Sequence, residues 1–287
     1  MPKPILQPQS VPDIEHLPLR IILPRTGWVS FDWGELWAYR ELLGFLVWRD
    51  VKVRYKQTVL GAAWAILQPL MTMVLFTLIF GRWAKMPSDG APYSLFTFAA
   101  LIPWTFFANS LGAASGSLVG NTHLISKVYF PRVLISLSSI GTGLLDLLVA
   151  LAVMIGLMTY LGVPVTARIL ALPPLIVLTI LAAFGVGSML AALNVMYRDI
   201  RYVVPFLTQF WMFASPVVYP VSMVPAGWRW AFYLNPLVGV IDGFRFALLG
   251  TPPNAAAIAT SAAVSAVLAW SGLMYFRRVE RRVADLL

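Results

Sequence analysis

Residues Val133–Leu161 read VLISLSSIGTGLLDLLVALAVMIGLMTYL and carry one ionisable side chain, Asp146. A helix needs about 20 predominantly apolar residues to cross the hydrocarbon of a bilayer, and this run exceeds that length. Unpaired backbone N–H and C=O groups find no water there, so a lipid-facing run must be helical. The same signature recurs on both sides, at Val59–Phe80, Leu95–Gly120, Ile169–Leu193, Val203–Val221 and Ala255–Phe276. Six spans make the expected fold class an all-α polytopic membrane protein, with residues 59–276 as its transmembrane domain. A seventh apolar piece, Leu237–Gly250, is short and holds Asp242 and Arg245. Pro220, Pro225, Gly227 and Pro236 break the chain ahead of it, so residues 222–250 read as re-entrant helices between spans 5 and 6.

Composition points the same way. Hydrophobic residues make up 59% of the 287 and charged residues 11%, against roughly a quarter charged in ordinary globular proteins. Mean hydropathy is +0.78. A soluble fold of this size has no interior large enough for so much apolar side chain. With no cysteine there is no disulfide, thiolate nucleophile or iron–sulfur ligation, and His16 and His123 alone offer little for zinc. No metal site is expected.

The net charge of +9 is a question of sidedness rather than of nucleic acid. With both ends cytoplasmic, sixteen of the 21 Lys and Arg residues lie inside. Arg82, Lys85, Arg168, Arg229 and Arg245 lie outside. Cytoplasmic loops carry that excess. A full crossing by Leu237–Gly250 would put the basic tail of residues 277–287 outside, against the bias. The first 58 residues contain no run long enough for a signal-peptide core or a span. Residues 1–31 form a proline-rich cytoplasmic arm. From Asp32, an expected N-cap, residues 32–58 turn helical. Leu36, Tyr39, Leu42, Leu43, Leu46 and Val47 make one stripe, with Glu41, Arg49, Lys52 and Lys56 opposite. Trp33, Trp37 and Trp48 flank it, and the segment reads as an amphipathic helix in the membrane interface.

Catalytic signatures are missing. There is no Gly-Lys dipeptide for a phosphate cradle, no H-E-x-x-H and no G-x-S-x-G. Asp146 is the one carboxylate well inside a span. It either lines a polar path, pairs with a neighbouring helix, or bonds Ser138, Ser139 or Thr142 within two turns. One such group is little for ion coupling, so a secondary carrier or a membrane glycosyltransferase is the weaker reading. Gly112, Gly116 and Gly120 share one face of span 2, where small residues let helices approach within one subunit or between two. Trp28, Trp83, Trp228 and Trp230 suit an interfacial belt. Phe206, Phe210, Trp211, Phe213 and Tyr219 instead run through span 5 at helical spacing. They are the candidate sliding surface for sugar rings.

Several segments resemble one family. Arg54–Gly61 (RYKQTVLG) with Trp64 and Leu67-Gln68-Pro69 is similar to the junction of interface helix and first span in permeases of bacterial polysaccharide ABC exporters. Asn121–Arg132 (NTHLISKVYFPR) resembles their coupling segment, and Asn194–Ile200 (NVMYRDI) their link between spans 4 and 5. Ser215-Pro216-Val217 and Leu234-Asn235-Pro236-Leu237 complete the pattern. The resemblance runs from about residue 35 to the C-terminus.

That resemblance implies a half-transporter in the bacterial inner membrane, both termini cytoplasmic. Two copies form the pore and two copies of a separate ATPase dock beneath. ATP and Mg²⁺ belong to that partner, and this chain binds no cofactor itself. The implied substrate is polysaccharide on undecaprenyl diphosphate, chiefly O-antigen, moved to the periplasm. Teichoic acid, capsule, or another lipid or drug is the alternative. Residues 121–132 become the ATPase-coupling segment. Asn121 or Thr122 is expected to cap a short helix, Pro131 limits it, and Leu124, Ile125 and Val128 share a face for a cleft on the partner. Lys127 and Arg132 meet its rim, and Phe130 belongs to the same set. Leu36, Tyr39, Leu43, Arg49 and Arg54 of the interface helix flank that surface.

Overall fold

The structure, a computed structural model, describes residues 33–56 and 61–286. The proline-rich arm, the expected cap Asp32 and the expected start of the first span at Val59 lie outside the described residues. Eleven α-helices are present among the described residues, and no strand. In chain order they are α1 (Trp33–Ala38), α2 (Arg40–Lys56), α3 (Gly61–Phe76), α4 (Tyr93–Gly120), α5 (Thr122–Lys127) and α6 (Val133–Tyr160). Then come α7 (Leu172–Met196), α8 (Ile200–Phe213), α9 (Arg229–Tyr233), α10 (Pro236–Leu249) and α11 (Ala255–Leu286). A π-helical stretch, Thr77–Trp83, extends α3.

Five helices are long and apolar enough to cross a membrane, or up to six if the bent pair Ala226–Tyr233 and Pro236–Leu249 counts as one broken span. The five match the expected spans 1–4 and 6. The expected fifth, Val203–Val221, is corrected: helix stops at Phe213. Fourteen residues rise only about 21 Å. Pro216 is the physical reason, because it disfavours helical geometry at Ser215 and removes a donor. The unwound backbone beyond is tolerated because protein groups, not lipid, satisfy its carbonyls. Asn235 Nδ2 donates to Ala214 O at 3.0 Å, Arg245 Nη2 to Val217 O at 3.0 Å, and Tyr93 Oη to Val218 O at 2.7 Å.

Hydrogen bonds fix which end of the bundle each piece reaches. Ser222 Oγ meets Asp89 Oδ1 at 3.2 Å in the α3–α4 loop, so residues 200–222 run from the Met196 end to the Tyr93 end. The next stretch bends by 100° between α9 and α10. It returns to the Tyr93 end, where Gly250 lies against Arg168 in the segment leading into α7. From there α11 crosses back, and Arg132 Nη1 donates to Glu280 O at 2.7 Å. The last turns of α11 and the α4–α6 loop share an end.

The apolar residues encircle α4, and such a helix is largely buried. Leu95, Phe96, Phe98, Leu101 and Phe107 sit at its centre, packed by α3, α6, α7, α8 and α10. Within the chain, close helix approach occurs elsewhere than at the span 2 glycines. Added Cβ atoms at Gly112, Gly116 and Gly120 would meet nothing within 4 Å. Between α7 and α11, a Cβ on Gly272 would lie 2.0 Å from Gly185 O, so bare backbones cross there.

The apolar stripe read along α1 and α2 faces protein: Leu36, Tyr39, Leu42 and Leu43 pack on the bundle core, and Leu46 is 2% exposed. Span 3 receives that face, with Gly141 leaving room for Val47. The outer surface is mixed, with Trp37, Phe45, Trp48 and Val53 exposed beside Glu41, Lys52 and Lys56. Arg40 and Lys52 stack over Trp37 and Trp48, each 5.2 Å from the ring centroid. An apolar stripe can mark a protein contact as readily as a lipid contact.

Candidate functional site

A cavity of about 660 Å³ lies between α3, α4, α6 and α8, with Pro69, Gly112 and Pro205 among its lining residues. Trp64 and Gln68 reach it from α3, Asn109 and Gly112 from α4, and Thr208 from α8. The last turn of α2 supplies Arg54 and Tyr55, and α6 supplies Asp146. Arg54 Nη1 donates to Asp146 Oδ2 at 2.7 Å, and the Tyr55 hydroxyl donates to Oδ1. Both carboxylate oxygens are thereby occupied. Burial, reinforced by the bond to Asp146, pushes the Tyr55 phenol up to about 12, so it stays a neutral donor.

Asp146 thus pairs with a neighbouring helix and also lines the cavity, while the nearby hydroxyls turn elsewhere. Ser138 and Ser139 donate to Ile135 O and Thr142 donates to Ser139 O. Hydroxyls inside a span turn back to their own helix because its carbonyls are nearest. Chemically the cavity offers amide and hydroxyl groups, an indole wall and a neutralised ion pair. Such a lining suits an uncharged polar ligand with apolar ring faces. No cluster of three or more His, Asp or Glu able to hold a metal occurs among the described residues.

The five span 5 aromatics separate into two groups. Phe206, Phe210 and Phe213 are exposed, Phe206 at 72%. Trp211 is turned inward. Its ring meets Phe107 edge-on at 5.1 Å, and its Nε1 donates to Asn235 Oδ1 at 3.0 Å. Tyr219 donates to Phe213 O and packs beside Phe232. These two rings pack against the protein and the three phenylalanines present faces outward; none of the five lines the cavity.

The loop of residues 121–132 is gripped at both ends. Arg49 Nη2 of α2 donates to Asn121 Oδ1 at 3.1 Å, and Glu280 Oε1 of α11 accepts the Arg132 N–H at 3.0 Å. Asn121 precedes α5 but makes no side-chain cap bond; its amide instead donates back to Ser117 O. Leu124 and Ile125 pack against the chain's own core, and Phe130 is 4% exposed. The expected face of Leu124, Ile125 and Val128 is therefore split. What projects is Lys127, Val128 at 52% and Tyr129 at 83% exposure. Tyr129 was missed because helical spacing was extended past Lys127, where α5 ends. Pro131, four residues on, was the signal for an earlier stop. Of the interface-helix set, Leu36, Tyr39 and Leu43 pack inward, Arg49 holds the loop and Arg54 enters the cavity.

A family model described as ABC-2 type transporter matches residues 41–249. An O-antigen export system permease protein, RfbA, of Myxococcus xanthus is 30% identical over 254 residues, 88% of this chain and 97% of its own. A Klebsiella pneumoniae protein of the same name is 27% identical over 86% of this chain and 95% of its own. The polysialic acid transport protein KpsM of Escherichia coli is 26% identical over 70% and 78% respectively.

Proposed function

The chain belongs to the ABC-2 type transporter membrane family, and on that footing we propose that it is the membrane-spanning subunit of an ATP-driven polysaccharide exporter. Its cargo is an O-antigen-type glycan on undecaprenyl diphosphate, moved from the cytoplasmic to the periplasmic side of the inner membrane. The observation that carries this reading is the similarity to O-antigen export permeases over nearly the full length of both chains. The cavity supports it, since Trp64, Gln68 and Asn109 offer the aromatic and amide groups that bind sugars without a fixed charge. A capsular glycan is the second reading, favoured by the likeness to a polysialic acid transport protein.

In this account the Arg132 end is cytoplasmic, following the excess of basic residues on that side. Residues 222–250 then dip in from the periplasm. α3 is the most exposed of the spans, and it flanks the cavity opposite the exposed phenylalanines of α8. A second copy of the chain closes this side and completes a channel. ATP and Mg²⁺ are handled by two copies of a separate ATPase, which meets Lys127, Val128 and Tyr129. Deleting the gene tests the assignment: surface glycan should fall and lipid-linked glycan should accumulate in the cytoplasmic leaflet. Normal surface glycan with no accumulated intermediate would overturn it.

A further inference from the structure

A second hollow lies outside the transport cavity, between α2 and the flank of α6. It encloses about 520 Å³. Its walls are Leu43, Gly44, Val47 and Trp48 from α2 and Leu137, Ile140, Gly141 and Leu144 from α6, with Ile180 of α7 at the back. The lining holds one charged side chain, Arg40. We propose that this groove binds one anionic phospholipid, with an acyl chain along the apolar walls and the phosphate against Arg40.

Three observations carry the assignment. The first is charge placement. Arg40 gives one nitrogen to Trp37 O at 3.0 Å and stacks on the Trp37 ring. It is exposed and makes no other hydrogen bond among the described residues. Lys52 lies over Trp48 but does not line the groove, so Arg40 is the cation within it. The one carboxylate next to Arg40, Glu41, does not line the groove. Basic pockets between membrane helices take anionic headgroups.

The second is depth. The 28 residues of α6 span about 42 Å, against a hydrocarbon core of about 30 Å. Leu137–Leu144 lie about 6–17 Å from its start. The groove thus runs from the headgroup boundary into the acyl region. The third is vacancy with a reason. Gly44 lines the groove, and a Cβ there would meet nothing within 4 Å. A glycine in mid-helix is unfavourable relative to other residues; here it leaves a slot of chain width.

Native mass spectrometry of the purified full-length chain tests this, titrating dioleoyl phosphatidylglycerol against dioleoyl phosphatidylcholine. The wild type should retain one phosphatidylglycerol with about fivefold preference, as one cation near an anionic headgroup provides. Arg40→Gln should abolish the preference while still retaining lipid. Gly44→Leu should abolish retention of both lipids at unchanged helicity, because leucine fills the slot and favours helix. Equal wild-type affinity for the two headgroups, or wild-type retention in Gly44→Leu, overturns the proposal. So does a wild-type chain that retains no lipid.

Discussion

Asp146 shows how far one residue can be read. A lone carboxylate inside a span announces itself in sequence, but its partners, Arg54 and Tyr55, are 92 and 91 positions away. No local pattern connects them. The ion pair is partly open, so its worth lies between the value near 1 kcal/mol for surface pairs and the 3–5 kcal/mol lost on breaking a buried one. Asp146→Ala should lower the melting temperature in detergent by leaving Arg54 unpaired, and the double change Arg54→Met with Asp146→Leu should recover most of the loss. No recovery would mean that the charges do not act as a pair. The Tyr55 phenol is raised from 10.0 to about 12. Its contribution is therefore complete below pH 10 and is lost between pH 10 and 12. The aromatics divide at this scale too. Trp211→Ala removes a ring contact and a hydrogen bond and should destabilise the fold by about 3 kcal/mol. Phe206→Ala with Phe210→Ala should leave the melting temperature within a degree or two and reduce export. Equal thermal losses from both would show that the exposed rings are structural.

At the scale of elements, long apolar runs were legible to within a few residues, because hydrocarbon thickness and backbone hydrogen bonding leave one solution. Span 5 was not, since hydropathy continues through Val217, Val218 and Val221 while Pro216 ends the helix. The side chains that satisfy the freed carbonyls, Asn235, Arg245 and Tyr93, come from distant segments. In the α4–α6 loop a short helix is present as α5, and its apolar residues divide between core and surface. Leu124 and Ile125 are shared with the chain's own core. Leu124→Asp should therefore lower yield and stability. Val128→Asp with Tyr129→Asp should leave both intact and weaken copurification of the ATPase. If the second pair copurifies normally and exports normally, the loop does not carry the coupling contact.

The described residues form a bundle around one largely buried helix, with five helices long enough to cross and a pair bent by 100°. Its two gripped elements, α2 and the end of α11, meet the same loop through Arg49 and Glu280. The loop is thereby tied to helices near both ends of the described chain. The class of molecule was readable from composition and span count. The cavity was not, because it is assembled from five helices whose contributions are single residues such as Gln68, Asn109 and Thr208. The most direct measurement of the central claim is translocation in proteoliposomes holding this chain and its ATPase, with lipid-linked glycan on the ATPase face. ATP should move the glycan to the opposite face, in a manner lost with either protein or with the Val128→Asp, Tyr129→Asp chain. Glycan transfer that needs no ATP, or none with both proteins and ATP present, would contradict the account.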